Sequence, residues 1–572
     1  MAERKNTQTG YPSVDKPWLK YYSEENINAA LPNCSIYEYM MQNNKDFTSD
    51  IAIIYLGRKI TYKELFENIN RTASAFLRAG VKDKEIVTVA LPSIPEALYC
   101  VYALNKIGAV ANMIHPLAGK SETIKYINEV GSKIAVILDA AYNTIVEDIE
   151  KTSLQKVIIA SPADSLPITL KAIYSLKVKK TSIKSKLFQS WKCFINDDII
   201  LDNSVKKDNH EMAIISHTGG TTGDPKGVMC SDSNINALIW QIGCHLPHER
   251  QEKYLVVLPP FINYSLVNSM LEPLAFGFQV ILIPKYEPEK FAKYIKKYKP
   301  NHISSIPSYW EALLRIKEIN KTDLSCLNHI YYGGEAMNTE TEDTINKLIL
   351  SRGARNKLCK GLGSTEMTSA ATVTYEDSNL TGSVGIPLVK VNCKTVDVET
   401  GEELQYNEEG ELCFAGDTLM VGYYNNQEAT DDVIHIHSDG IRWFHTGDLG
   451  YINSDGVVFV TGRIKRIIIT RGNDGIATKM FPDRIEKVLN RHPSVRACCV
   501  IGVKDVERIN YPKAVIELND AYTPSTELSL SLKDFCKEYL PSYLIPEIVE
   551  FTDSLPRTER GKIDYRALEM IK

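Results

Sequence analysis

From residue 51 onward, short apolar runs alternate with amphipathic stretches. Residues 1–50 read as an irregular lead-in carrying Pro12, Pro17 and Pro32, with one helix near 36–42. Residues 51–56 form an apolar run stopped by Gly57, which predicts a strand. Thr61 and Glu64 stand three apart as a capping box. They open a helix whose Leu65, Phe66, Ile69, Ala73, Phe76 and Leu77 fall on one face before Gly80 ends it. Strands at 86–91, 109–113 and 134–138 alternate with helices at 94–107 and 122–130. Such alternation predicts parallel sheet layered with helices.

The stretch 171–192 breaks that rhythm. Seven lysines, from Lys171 to Lys192, are mixed with Leu176, Leu187, Phe188 and Trp191. Two readings stand: a solvated excursion, or a basic amphipathic segment resting on an anionic membrane surface. Further strands are predicted at 212–215, 254–258, 280–283, 302–306 and 330–332. Residues 382–460 read as β-rich, with turns at 407–410, 439–440 and 455–456. A small α+β unit closes the chain, with strands at 498–503 and 513–518 and helices around 482–490, 526–539 and 564–571.

At 572 residues the chain exceeds the ~250–300 that one core usually supports, so more than one domain is expected. A net charge of −5 gives no polyanion-binding signature and argues against nucleic acid as a partner. No apolar run approaches the ~20 residues that span a bilayer, and the N-terminus lacks the apolar core of a signal peptide. The expectation is a cytoplasmic protein. Twelve cysteines are scattered without a Cys-x-x-Cys pair. No histidine cluster stands at metal spacing in the sequence, so zinc is not indicated.

The stretch with the most chemistry is Ser216-His217-Thr218-Gly219-Gly220-Thr221-Thr222-Gly223-Asp224-Pro225-Lys226-Gly227, which follows a short apolar strand. Its glycines let the backbone approach a ligand closely. Its threonine hydroxyls and the Lys226 ammonium suit a polyphosphate. It is not a Walker A loop, because Asp224-Pro225 precede the lysine and Gly227 follows it. The order resembles the phosphate loop of the ANL superfamily of adenylate-forming enzymes (acyl-CoA synthetases, adenylation domains, luciferases), with glycine at 219 where serine is usual.

Later motifs in order extend the resemblance over essentially the whole chain. Gly361-Leu362-Gly363-Ser364-Thr365-Glu366 resembles the family's Gly-Tyr-Gly-x-Thr-Glu loop. This implies that Glu366 binds Mg2+, that Thr365 touches the phosphate or carboxylate of the adenylate, and that Leu362 stands where an aromatic usually packs on adenine. Gly334 and Glu335 follow a predicted strand and belong with the nucleotide and acid. Thr446-Gly447-Asp448 implies that Asp448 accepts the ribose hydroxyls, with Arg463 beside it and Lys465 at a hinge. Leu555-Pro556-Arg557-Thr558-Glu559-Arg560-Gly561-Lys562 implies Lys562 as the catalytic lysine. The acyl pocket is expected to draw on Trp240, Asn263 and Tyr264, and Gly472 to line a thiol tunnel.

The fold class so implied is α/β. A large N-terminal domain, 1–463, is built of layered α/β subdomains with a β-rich section. A small mobile α+β lid, 464–572, carries Lys562. The implied reaction takes a fatty or aromatic carboxylic acid and ATP with Mg2+ to acyl-AMP, then passes the acyl group to CoA. An alternative acceptor is the phosphopantetheine of a carrier protein; CoA turnover separates the two. A non-catalytic nucleotide-binding regulator should have lost Lys562, Glu366 or Asp448, and all three are present. Residues 473–481 interrupt the loop that normally helps form the thiol tunnel, and Ile262-Asn263 replace the aromatic or histidine usual after Phe261. No transmembrane segment is expected, and the state is monomer or dimer.

Overall fold

The computed structural model describes residues 9–167, 170–171, 187–196, 205, 208–218, 225–245, 248–466, 468–471, 477–505, 509–557 and 563–570. Among them, two large sheets carry the mixed α/β architecture. One has seven strands in the order Cys359–Lys360, His329–Tyr332, His302–Ser305, Lys253–Val256, Gln279–Leu282, Ile51–Tyr55 and Arg58–Thr61. It is parallel except for the last pair. The other has eight, in the order Gly422–Tyr423, Gly227–Ser231, Met212–His217, Val110–Met113, Ile86–Ala90, Ile134–Leu138, Lys156–Ala160 and Phe188–Ser190.

The helix Tyr62–Arg78 starts where Thr61 accepts the Glu64 N–H. The capping is only half reciprocal, because the Glu64 carboxylate turns to Arg58 instead. Leu65, Ile69, Ala73 and Phe76 are buried as their spacing predicts. Leu77 lies ~100° further round the helix than Phe76 and is exposed. Pro95–Lys106 is buried along its whole length. A third sheet, antiparallel, takes Asn392–Val396, Gly410–Ala415, Arg442–Ile452 and Ile434–Ile436 in that order, with Val458–Arg463 on Arg442–Ile452. The last sheet, Val495–Asp505, Ile509–Leu518 and Ile548–Thr552, packs under the helices Pro482–Leu489 and Thr526–Tyr539 around Ile485, Leu489, Val500, Ile516, Leu532 and Cys536.

Two expectations meet limits here. Most of the lysine-rich stretch 171–192 lies outside the described residues. Phe188 and Trp191, at its described end, are buried in the protein rather than offered to a membrane. The interruption at 473–481 is a β-hairpin: Ala477–Met480 pairs antiparallel with Ile468–Arg471, and residues 472–476 between them, Gly472 included, lie outside the described residues.

The strand Cys359–Lys360, which leads into the Gly361 loop, ends on a buried ion pair. Lys360 Nζ lies 2.8 and 2.9 Å from the two Glu342 oxygens, and Tyr332 donates to the same carboxylate at 2.9 Å. Both charges are buried, so removing one leaves the other without its counter-charge. Lys360→Met is expected to destabilise the protein by about 3–5 kcal/mol, seen as a lower thermal midpoint. Lys360→Met with Glu342→Leu should recover most of that loss. Equal midpoints for the wild type and Lys360→Met would overturn this account.

Candidate active site

Strands of both large sheets and edges of the third open into one cleft of about 1720 Å³. Met212–His217 and Gly227–Ser231 form the phosphate hairpin. Thr218 N donates to Lys226 O at 2.9 Å, and Lys226 N donates to Thr218 Oγ1 at 3.0 Å, which closes the neck of the loop. Gly219, Gly220, Thr221, Thr222 and Gly223 lie in the loop beyond that neck, outside the described residues. Thr218 and Lys226 line the cleft.

The Lys226 ammonium sits 4.7 Å over the Tyr423 ring, and the Tyr423 hydroxyl donates to Glu366 Oε1 at 2.7 Å. Burial and the Glu366 charge push the Tyr423 phenol well up, so it stays a donor. No motif in the sequence marks Tyr423 as a partner of Glu366. The pairing of Gly422–Tyr423 with the phosphate hairpin is what carries Tyr423 to Glu366. In the loop before Glu366 the backbone is tightly packed at two glycines. A Cβ on Gly361 would stand 2.4 Å from Thr372 O, and one on Gly363 1.7 Å from Ser369 O. Leu362 and Thr365 face the same cleft, and Thr368 just after holds φ +61°. Gly334, at φ +82°, turns the chain out of the strand His329–Tyr332, so Glu335 also lines the cleft.

Thr446, Gly447 and Asp448 occupy a bulge in the strand Arg442–Ile452. Cys413 pairs with His445 and Glu411 with Leu449, so three residues stand opposite the single Leu412, an excess of two. Gly447 takes φ +70° with open space around it, so the backbone conformation is what selects glycine. Thr446 Oγ1 donates to Leu412 O at 2.7 Å and accepts Asp448 N at 2.9 Å, while Glu411 Oε1 accepts Gly447 N at 2.8 Å. The bulge turns the buried Asp448 carboxylate toward Arg463, whose Nε lies 2.7 Å from Oδ1.

Arg463 starts the joint to the C-terminal part. Its N–H donates to Asp483 Oδ2 at 3.2 Å. Lys465 lies in the single turn Ile464–Arg466 that follows. Arg466, which sequence reasoning missed, grips Glu486 through two hydrogen bonds of 3.0 and 2.6 Å, and Asp483 at 2.9 Å. Its only sequence signal is its place one residue after Lys465. Lys562 lies outside the described residues. The described residues flanking its segment, Arg557 and Ile563, pair with each other and line the cleft.

At the acid end, Asn263 and Tyr264 line the cleft, and Asn263 accepts from Ser216 and donates to Cys230 Sγ at 3.4 Å. Trp240 is not among the described lining residues; it packs on the core with the Lys390 ammonium 5.9 Å from its ring. Its helix, Asp232–His245, offers Ile242 and His245 instead, about half a turn and about 1.4 turns further along. Burial holds the His245 imidazole down at about 4, so it is neutral at pH 7.

The structure brings together a histidine cluster that the sequence reading did not find. His435, His437 and His445 bring a nitrogen each to within 4.8 Å of one another. The pairing across the turn 437–441 gathers them, which linear spacing does not reveal.

Comparison with known proteins agrees with this geometry. The family described as AMP-binding enzyme matches residues 41–424, and its C-terminal domain matches residues 484–562. A long-chain-fatty-acid–CoA ligase of Bacillus subtilis is 29% identical over 566 residues, 97% of each chain. A probable 4-coumarate–CoA ligase of Dictyostelium discoideum is 27% identical, covering 95% of this chain and 96% of its own. The crystal structure of ATP-bound MatB from Rhodopseudomonas palustris superposes with a TM-score of 0.79 at 22% identity, over 94% of this chain and 98% of that one. No helix among the described residues is long and apolar enough to cross a membrane. With the phosphate hairpin, the Glu366 loop and the Asp448 bulge opening on one cleft, the chain belongs to the AMP-binding enzyme family, in the ANL superfamily of adenylate-forming enzymes.

Proposed function

We propose that the protein is an AMP-forming acid–thiol ligase. It joins a carboxylic acid to ATP as acyl-AMP with release of pyrophosphate, then passes the acyl group to CoA. The observation that carries this reading is the shared cleft: Lys226, Glu366, Asp448, Arg463 and the flanks of the Lys562 segment all border it. It contains groups that position and neutralise charge, as attack of a carboxylate oxygen on the α-phosphorus requires.

Each residue has a distinct task. Lys226 and the loop backbone beyond Thr218 hold the pyrophosphate end. Asp448 accepts the two ribose hydroxyls, and Arg463 holds that carboxylate in place. Gly334, Glu335, Gly361, Leu362 and Gly363 form the wall for the base and the adenylate, and Thr365 donates to its α-phosphate or acyl oxygen. Glu366 fits a divalent cation: Oε1 is fixed by Tyr423, and Oε2 accepts no hydrogen bond among the described residues. Mg2+ takes one or two such carboxylate oxygens and completes its shell with phosphate and water, and it would neutralise charge on the phosphates there. Lys562 brings a cation to the acyl carboxylate and α-phosphate for the first half-reaction. The lid, residues 464–572, turns about Lys465 to admit the thiol past the hairpin strands Ile468–Arg471 and Ala477–Met480, with Gly472 expected to line its path.

Carrier-protein loading is the second reading, favoured by that hairpin, because it adds chain where the thiol would enter. Pyrophosphate release with ATP and Mg2+ across short, medium, long-chain and aryl acids, with and without CoA, tests both. A sharp rise with CoA, with acyl-CoA as product, is expected. Acid-dependent AMP formation that ignores CoA would transfer the assignment to a carrier protein. Lys562→Ala is expected to slow acyl-AMP formation ~100–1000-fold, the cost of losing a preorganised donor worth about 3–4 kcal/mol. The same variant should still transfer supplied acyl-AMP to the thiol. Wild-type adenylation rates in it would overturn the role given to Lys562.

A further inference from the structure

The wall of the cleft next to Asn263 has an irregular helix. Asn263–Ser265 is α-helical, Leu266–Leu271 is π-helical, and Glu272–Ala275 returns to α. The wider π turn, with its i→i+5 bonds, spaces Asn263, Asn268 and Glu272 so that all three line the cleft. An uninterrupted α-helix would carry Asn268 and Glu272 progressively round from Asn263.

This wall is polar and under-bonded. Asn268 Oδ1 is buried without a hydrogen-bond partner, as is the Tyr331 hydroxyl opposite. Glu272 is 6% exposed, and its carboxyl makes no hydrogen bond or ion pair among the described residues. Tyr254 and Tyr331 both lie near enough to feel a charge placed on Glu272, so Glu272 is close to both strands. Tyr254 is in register with His302, and His302 with His329, four residues before Gly333. At ~3.3 Å per strand residue, Tyr254 is therefore about 13 Å below Gly333, at the deep end of the cleft. Burial pushes the Glu272 carboxyl well above the usual range.

On the reading that this cleft adenylates an acid, we propose that the acid carries a hydrogen-bond donor, a hydroxyl or an amine, at the end remote from its carboxylate, and that Glu272 and Asn268 receive it. A plain hydrocarbon tail filling the deep end would strip water from these acceptors and leave them unpaired. A donor-bearing tail satisfies them. Sites built to bond a substrate hydroxyl or amine discriminate strongly against analogues that lack it.

The test measures kcat/KM for acyl-AMP formation with matched acids: an alkanoate, its ω-hydroxy and ω-amino counterparts, and an aryl acid with and without a ring hydroxyl. Wild type is expected to prefer a donor-bearing member over its plain partner by roughly tenfold or more. Glu272→Leu should erase or reverse that ranking while ATP binding, measured by calorimetry, is kept. Glu272→Gln should keep the hydroxylated acid and lose the amine if the donor is an amine, and keep both rankings if it is a hydroxyl. Adenylation of plain acids at equal or better efficiency, or an unchanged ranking in Glu272→Leu, overturns the proposal and leaves the ligase reading intact. No adenylation of any acid overturns the ligase reading and this proposal with it.

A separate observation carries a second inference. His435 is on the edge strand Ile434–Ile436 and His437 one residue beyond its end, while Trp443 and His445 stand two apart on the partner strand. His435 pairs with Trp443, so all four share one face. His437 Nε2 lies 2.9 Å from His445 Nε2, and His445 Nδ1 is 2.7 Å from Glu411 Oε2. A carboxylate on the far ring nitrogen is the support that metal-ligating histidines usually have. The structure assigns to His435, His437 and His445 a site for a divalent transition metal such as Zn2+, stapling the edge strand Ile434–Ile436 to the strand that carries Asp448.

Tag-free protein titrated with Co2+ is expected to take one equivalent with a visible ligand-field band, which Zn2+ abolishes. His435→Gln with His437→Gln should lose the band. Glu411→Gln should weaken uptake roughly 10–100-fold. Absence of the band in wild type, or its persistence in the double variant, overturns the assignment.

Discussion

The pairing of Asp448 with Arg463 is the interaction on which the site depends. On the reading that Asp448 holds a ribose, its carboxylate has to be fixed while largely buried. Arg463 supplies the counter-charge at 2.7 Å, and the bulge supplies the fixing. The same arginine is the last residue of its strand, and its N–H is held by Asp483. Three residues later Arg466 is bound to Asp483 and Glu486. The nucleotide wall and the joint to the C-terminal sheet are thus one continuous chain of charge-assisted contacts. A change in the joint is felt at Asp448 through a single residue.

Much of this was legible in the sequence because it is local. Strand and helix alternation follows from periodicity. The end of the helix at 78 and the turns at Asn407, Gly440 and Gly456 follow from residue chemistry, and all three of those turn residues adopt positive φ. The glycine-rich loop announced itself by composition, and Gly361 and Gly363 are glycines for a steric reason the structure makes plain. What stayed hidden is non-local. Tyr423 reaches Glu366 only because a two-residue strand pairs with the phosphate hairpin. His435, His437 and His445 meet across a turn. Arg466 finds Glu486 only once the helix Pro482–Leu489 is docked. The π turn also left no signal, since Leu266–Leu271 reads as an ordinary buried helix with no glycine or proline to mark it.

That π turn shows how one architecture can serve different acids. The sheets and the charged groups around the nucleotide are constrained by chemistry that does not vary with the acid. The fold superposes on the MatB structure with a TM-score of 0.79 although only 22% of residues agree. The helix Asn263–Ala275 has no such duty. One residue of extra winding in it rotates every later side chain relative to the cleft, and leaves the strands beneath undisturbed. Asn268 and Glu272 face the cleft from that helix. The curated relatives, at 27–29% identity over nearly the whole chain, include fatty-acid and coumarate ligases. Overall identity therefore carries little information about the tail of the acid. The unpaired oxygens at the closed end of the cleft carry more, because each is an acceptor that something in the bound state must satisfy.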